Sequence, residues 1–98
     1  MHKMDFGCGN NRHPSCDLGV DSRPCDGATI VHSGLPPLPL EDGSCDYIFT
    51  NHTLEHLEHD DFRAWMDEFG RLLCPGGVLE IIVPHFSNGL FWSKSFAP

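Results

Sequence analysis

One amphipathic helix followed directly by an apolar strand is the feature that most constrains the fold of this chain. Six apolar residues recur at i, i+3, i+4, i+7, i+10 and i+11, which is the spacing of one helical stripe. They are Phe62, Trp65, Met66, Phe69, Leu72 and Leu73. A Pro-Gly-Gly segment at residues 75–77 ends this helix, and residues 78–83 are apolar at every position except Glu80. Because such a run is typical of a buried parallel strand, and a further strand is predicted before the helix at residues 46–50, we expect an α/β fold with a parallel sheet.

Three more short strands are predicted before this unit. They cover about residues 4–6, 17–20 and 28–32. Three prolines between positions 36 and 39 exclude a helix after the third strand. Residues 1–98 are enough for one small domain, with a core at 3–86 and an aromatic tail at 87–98. The tail, and a sheet with helical cover on one face only, predict a homo-oligomer, since monomers rarely expose a large apolar patch.

Composition disfavours several classes of function. The chain has a formal net charge of −8 and only six Lys and Arg residues, whereas nucleic-acid binding depends on cations that contact phosphates. Nucleic acid and an anionic membrane are therefore not expected as partners, and a neutral or positively charged small molecule is. The five cysteines form no CxxC pair and the N-terminus has no apolar signal core, which favours reduced thiols in the cytoplasm. We expect these cysteines to be small buried side chains.

A glycine turn and a carboxylate indicate a nucleoside site. Gly7, Cys8 and Gly9 follow the first strand, and Asp21 ends the second. Glycine lets the backbone approach a ligand closely, and a carboxylate accepts hydrogen bonds from ribose hydroxyls. Asp21 follows Gly7 by 14 residues, whereas dinucleotide folds have about 20, including a crossover helix that binds the pyrophosphate. The short spacing therefore disfavours NAD and FAD and favours S-adenosylmethionine, which has no phosphate.

Five segments, in this order, resemble the class I S-adenosylmethionine-dependent methyltransferases, a Rossmann-like family. The segments are residues 4–10 (MDFGCGN), 19–21 (GVD), 38–46 (LPLEDGSCD), 51–57 (NHTLEHL) and 71–77 (RLLCPGG). The resemblance implies an open, mostly parallel Rossmann-like sheet of order 3-2-1-4-5, with the donor over the carboxyl ends of strands one, two and four. It also implies a minimal, helix-poor and truncated member, which lacks the first lid helix and strands six and seven.

The resemblance assigns roles to residues at the ends of these strands. The residues expected to bind S-adenosylmethionine are Asp5, Gly7, Cys8, Gly9, Asp21 and Asn51. The glycine turn would contact the methionine moiety, and Asp21 would bind the ribose. His52, just after the fourth strand, is the expected catalytic residue, where an acceptor would meet the methyl group. Two positions depart from the family pattern, because Ser33 replaces an aspartate near the adenine and Cys45 replaces a phenylalanine.

Two alternatives stay open beside an enzyme that methylates an unidentified small molecule. One is a reduced methyltransferase-like domain that binds the donor or a partner without catalysis, and the other is a structural protein that has lost the ligand. A zinc site is a weaker hypothesis. His52, His56 and His59 fall at i, i+4 and i+7 and would share one helical face, but their spacing lacks the glutamate of an HExxH motif. We therefore assign no metal.

Overall fold

The computed structural model describes residues 1–51, 57–82 and 90–93. The strands are β1 (His2–Phe6), β2 (Leu18–Asp21), β3 (Ile30–Val31), β4 (Cys45–Asn51), β5 (Leu73–Ile82) and β6 (Leu90–Ser93). The helix α1 (His59–Leu72) lies between β4 and β5. All six strands belong to one sheet in the order β3-β2-β1-β4-β5-β6. The strand–helix–strand unit indicated by the sequence is therefore present.

The first five strands run parallel to one another. β1 is central, with Asp5 opposite Gly19 of β2 on one side and opposite Phe49 of β4 on the other. The predicted α/β class and strand order 3-2-1-4-5 are confirmed. Because the strands are parallel, their carboxyl ends meet at one edge of the sheet, where open α/β sheets bind ligands.

A sixth strand corrects the expectation that the sheet ends at the fifth. β6 pairs antiparallel with β5, with Trp92 opposite Leu79 and Phe91 opposite Glu80. Leu, Phe and Trp are frequent strand residues, and β6 pairs with backbone groups along an edge of β5 that would otherwise be open. Part of the predicted aromatic tail is thus an element of the sheet. The other tail residues lie outside the part of the chain that the structure describes.

The helix α1 covers one face of the sheet. Trp65, Phe69 and Leu72 are buried on its inner side, as the apolar stripe predicts, while Phe62 in the first turn is 37% exposed. The ring of Phe6 in β1 lies 4.5 Å from that of Trp65 and 5.1 Å from that of Phe69. These contacts form the centre of the core. Within the described ranges, no helix has the length and apolar character that a bilayer span requires.

Two loops, instead of helices, cover the opposite face at β1 and β2. Side chains alternate along a strand, so Asp5 and its neighbour Gly19 belong to the face away from α1. Asp5 accepts a hydrogen bond from the backbone N–H of His13, in the loop after β1 (2.7 Å). A Cβ atom on Gly19 would lie 2.0 Å from the carbonyl oxygen of Gly27, in the loop after β2. The loops therefore occupy the place of crossover helices, which explains how such short connections still bury this part of the sheet.

A buried ion pair fastens the loop between β3 and β4 to α1. The Glu68 carboxylate, 5% exposed, accepts hydrogen bonds from the backbone N–H of Leu38 (2.6 Å) and from Nε and Nη2 of Arg71 (both 2.7 Å). Arg71 also donates to the carbonyl oxygen of Leu40 (2.8 Å) and to the carboxylate of Asp42 (2.8 Å). These hydrogen bonds lower the pKa of Glu68, chiefly through Arg71. The proline-rich loop is thereby held against the helix.

Candidate functional site

A cavity of about 630 Å³ opens at the carboxyl ends of β1, β2 and β3. Its lining includes Phe6, Gly7, Val20, Asp21, Leu35 and Trp65. The first four belong to the ends of β1 and β2 or directly follow them, whereas Leu35 follows β3 and Trp65 lies on α1. The volume is within the range of about 300–1,000 Å³ that is typical of small-molecule sites. Position and size together make this cavity the candidate binding site.

The glycine turn after β1 is fastened to the end of β2. Gly7 and Gly9 have φ angles of 79° and 58°, which side-chain-bearing residues rarely adopt. The N–H groups of Gly7 and Cys8 both donate to the carbonyl oxygen of Val20, at 2.7 and 3.2 Å. The turn therefore keeps its shape through bonds within the protein. Gly7 faces the cavity, whereas Cys8 and Gly9 are not among the residues that line it.

Asp21 brings a carboxylate to the same edge of the cavity. One carboxylate oxygen accepts the N–H of Gly9 (2.9 Å) and the other accepts the N–H of Arg23 (3.2 Å). Each oxygen of a carboxylate has two lone pairs, so each retains capacity for a ligand hydroxyl. The two existing hydrogen bonds orient the carboxylate and leave lone pairs on both oxygens for further hydrogen bonds. The structure thus brings together the glycine turn and the acid that the sequence paired.

The thiols of Cys8 and Cys25 lie beside this carboxylate. Cys8 is buried and Cys25 is half-buried, and their sulfur atoms and a carboxylate oxygen of Asp21 all lie within 4.8 Å of one another. The pKa of Cys8 is raised to about 11, mainly by burial and to a smaller extent by the nearby Cys25, Asp5 and Asp21. Cys8 is therefore a protonated thiol at neutral pH when no cation is bound. The group is chemically suited to hold a metal ion.

The structure does not place three of the predicted site residues, Asp5, Asn51 and His52, at the cavity. Asp5 is 4% exposed, its pKa is raised by burial, and its carboxylate anchors the loop after β1 through the N–H of His13. Asn51 is exposed at the end of β4, and neither residue is among those that line the cavity. The predicted catalytic His52 lies outside the described residues, as does His56 of the alternative zinc site.

Sequence reasoning missed the side chains from the loop after β3. His32 lines the cavity, and its imidazole lies edge-on to the indole of Trp65, with 5.9 Å between ring centres. Because a carbonyl oxygen can only accept, the Nε2–H of His32 donates to the carbonyl oxygen of Leu35 (2.8 Å). The two rings give this side of the cavity an aromatic, partly apolar lining. The family pattern could have indicated this position, because Ser33, where the family's adenine-proximal acid would stand, is the next residue.

Comparison with protein families gives one match by sequence. Residues 15–81 match the family model described as methyltransferase domain. The matched range covers β2 to β5 and therefore includes Asp21, α1 and both sides of the buried ion pair. No curated protein matches the chain by sequence.

Solved structures with the same fold include two from microorganisms. An S-adenosylmethionine-dependent methyltransferase from Thermotoga maritima, a possible histamine N-methyltransferase, is 24% identical with a TM-score of 0.64, over 82% of this chain and 42% of that one. A candidate S-adenosyl-L-methionine-dependent methyltransferase from Methanococcus maripaludis is 20% identical with a TM-score of 0.61, over 80% of this chain and 45% of that one. The chain therefore spans less than half the length of either protein, and the two likenesses concern the fold.

Proposed function

This chain belongs to the methyltransferase domain family, and from that premise we propose that it binds S-adenosylmethionine beside Asp21 and transfers the methyl group to a small molecule. The predicted family and its cofactor, S-adenosylmethionine, are confirmed at the level of the family. The observation that carries the proposal for this chain is the cavity at the carboxyl edge of the sheet, which Gly7 and Asp21 both line.

The residues of the cavity fit a nucleoside with no phosphate. Asp21 has free lone pairs for ribose hydroxyls, and Phe6, His32 and Trp65 give the cavity an aromatic lining for a base. No helix occurs in the loop that follows β1, so this loop lacks the helix N-terminus on which dinucleotides place their pyrophosphate. S-adenosylmethionine has no pyrophosphate and does not need this helix N-terminus. This supports S-adenosylmethionine over NAD or FAD.

Bound at this site, S-adenosylmethionine supplies an electrophilic methyl group, and the residues of the chain contribute position and water exclusion. The glycine turn and Asp21 hold their places through mutual hydrogen bonds, such as that from Gly9 to Asp21 (2.9 Å). Trp65 closes the cavity from the side of the helix. Such preorganisation lowers the entropic part of a barrier to in-line displacement. The role of His52 at the acceptor side remains a prediction.

Asp21→Asn tests the proposed ribose contact by calorimetry with S-adenosylmethionine and S-adenosylhomocysteine. Asparagine keeps an oxygen for the N–H of Gly9, and the N–H of Arg23, which loses its acceptor, is at an exposed residue where water can replace it. The fold should therefore persist, but the charge is lost. A hydrogen bond to a charged group contributes about 1.5–3 kcal/mol, so we expect affinity to fall by about 10–100-fold. Asp26→Asn is the matched control, because Asp26 is exposed in the following loop and is not among the residues that line the cavity. Absence of binding by the unchanged protein would refute the proposal.

Turnover is tested separately by release of S-adenosylhomocysteine over a panel of acceptors. The net charge of −8 attracts cationic acceptors over long range and repels anionic ones. Small amines, with histamine among them because of the Thermotoga maritima neighbour, therefore head the panel. Donor binding without release over the whole panel would instead support the alternative, a methyltransferase-like binding domain without catalysis.

The oligomeric state and the location remain predictions. Homo-oligomer formation is expected from the sheet face on which the described residues place no helix, and light scattering at micromolar concentration checks it, with a monomeric mass counting against it. In the described part of the chain the exposed large apolar side chains are Met1, Val31, Leu35 and Phe62, and Val31 lies on the edge strand β3. The cysteines of this part are all free, which is compatible with the proposed cytoplasmic location.

A further inference from the structure

Two cysteines from two different loops and an aspartate converge behind the candidate site. Cys8 lies in the turn after β1, Asp21 ends β2, and Cys25 lies in the loop that follows. Their sulfur atoms and a carboxylate oxygen lie within 4.8 Å of one another, which makes this a group with metal-ligating geometry. The proposed methyl transfer uses neither thiol.

Backbone hydrogen bonds hold the two cysteine-bearing loops together independently of any ligand. Gly27 donates to the carbonyl oxygen of Gly9 (3.1 Å), and the N–H of Asp26 donates to the side chain of Asn10 (3.1 Å). A Cβ atom on Gly19 beneath them would lie 2.9 Å from the sulfur of Cys8, so the loops pack closely on the sheet. The two thiols are therefore brought together by the fold and do not need a metal to recruit them.

We propose that Cys8, Asp21 and Cys25 form a binding site for a thiophilic divalent cation such as Zn²⁺, and that its occupation competes with the methyl donor for Asp21. Two thiolates select soft metals, whereas Mg²⁺ and Ca²⁺ prefer oxygen ligands alone. A Zn–S distance of about 2.3 Å in a tetrahedron places sulfur atoms about 3.8 Å apart. The two sulfur atoms, already within 4.8 Å of each other, need to approach by no more than about 1 Å. Three protein ligands leave a fourth position for water or a small ligand.

The metal ion and the methyl donor would compete because both use Asp21, and this half of the inference rests on the proposed function. Its carboxylate accepts hydrogen bonds from Gly9 and Arg23 and also borders the cavity. A carboxylate oxygen bound to a divalent cation is a much weaker acceptor for ribose hydroxyls. The chain would therefore bind the donor in its metal-free form and lose donor affinity when thiophilic metal is abundant.

The metal site is tested with Co²⁺ and Zn²⁺ on the full 98-residue chain, stripped of metal by a chelator and kept reduced by a phosphine. One equivalent of Co²⁺ should produce a thiolate-to-cobalt charge-transfer absorption, which histidine sites do not produce, and Zn²⁺ should displace it. Mutation of a residue that only hydrogen-bonds to a metal ligand costs about 10–100-fold in affinity, so removal of a ligand itself in Cys8→Ser or Cys25→Ser should cost at least about 100-fold.

Cys74→Ser is the matched control, because Cys74 is a half-buried thiol in β5, outside the proposed ligand set. It should leave the absorption unchanged. Cys25 is half-buried, so its serine variant tests the site even if the change at buried Cys8 weakens the fold. Absence of the charge-transfer absorption in the unchanged protein, or its persistence in both serine variants, would overturn the site.

Competition is tested by calorimetric titration with S-adenosylhomocysteine in the absence and presence of saturating Zn²⁺. We expect the metal-free chain to bind and the zinc-loaded chain to bind at least about tenfold more weakly, a loss of about 1.4 kcal/mol. Equal affinity in both states would overturn the competition. Absence of binding to the metal-free chain would overturn the proposed function, and the cobalt spectrum would still decide the metal site.

Discussion

Replacement of Glu68 by glutamine tests whether one buried carboxylate holds the proline-rich loop on the helix. The carboxylate accepts three hydrogen bonds, from the N–H of Leu38 and from two nitrogens of Arg71, at 2.6 to 2.7 Å. Glutamine preserves the volume but offers one acceptor oxygen, and it turns an amide donor toward groups that also donate. At least one of these donors then loses its partner in a site where Glu68 is only 5% exposed.

The expected loss of stability is about 2–3 kcal/mol. Removing one partner of a fully buried ion pair costs about 3–5 kcal/mol. The Arg71 side chain is 29% exposed and keeps its bond to Asp42 at 2.8 Å, so solvent and this second carboxylate reduce the cost. For a domain of this size, 2–3 kcal/mol corresponds to a decrease in Tm of about 10–20 °C.

Urea unfolding followed by far-UV circular dichroism measures the difference. Glu41→Gln is the control, because Glu41 lies in the same loop and is exposed. We expect it to change the free energy of unfolding by less than about 0.5 kcal/mol. If Glu68→Gln changed the free energy of unfolding as little as this control, the inference that the ion pair holds the loop would be wrong.

The same variant has a defined pH dependence. Hydrogen bonds from Arg71 lower the pKa of Glu68 below its ordinary value of 4.5. The stabilisation from the carboxylate is therefore present above the unfolded-state pKa and is lost as pH falls through the lower folded-state pKa. The difference in free energy of unfolding between the unchanged protein and Glu68→Gln should therefore become smaller as the pH falls below about 4.5. A difference independent of pH in that window would contradict the ionic origin of the stabilisation.

Two further predictions concern the loops that cover the sheet. Gly19→Ala should destabilise the fold by about 2 kcal/mol or more, because the new Cβ would lie 2.0 Å from the carbonyl oxygen of Gly27. Gly70→Ala is the control: Gly70 lies in α1 with open space around the position of a Cβ, so this change should stabilise the fold by about 0.5–1 kcal/mol. Equal effects in urea unfolding would contradict the close loop packing. The pKa of Asp5 is raised in the folded protein, so ionisation of Asp5 weakens the fold of the unchanged protein as the pH rises above about 3.8. Asp5→Asn lacks this ionisation, and its free energy of unfolding should therefore rise relative to that of the unchanged protein over the same range. An unfolding series from pH 3 to 7 checks this, and a relative stability that falls over that range would refute it.

Sequence periodicity and local spacing determined the main elements. The stripe from Phe62 to Leu72 predicts α1, because helical residues three and four apart share a face. The predicted end of the helix was too late, because Leu73 and the Pro-Gly-Gly segment belong to β5. The apolar run at residues 78–83 predicts the buried part of β5, and the pairing of Gly7 with Asp21 predicts the carboxyl-edge site. These features are readable because each depends on residues close together in the chain or on alternation within one strand. The sequence also indicated that no crossover helix separates Gly7 from Asp21.

Tertiary structure alone decided which distant residues meet. Three contacts join elements that sequence patterns treat separately: that of Gly27 with Gly19, that of the His32 ring with the Trp65 ring, and the hydrogen bond from Leu38 to Glu68. Cys8 and Cys25 illustrate the point, because their 17-residue separation in the sequence carries no metal-binding pattern, yet parallel pairing of β1 with β2 places the two following loops side by side. Local propensity is set by neighbours along the chain, whereas contacts across a parallel sheet are set by strand order and register, which no single segment encodes.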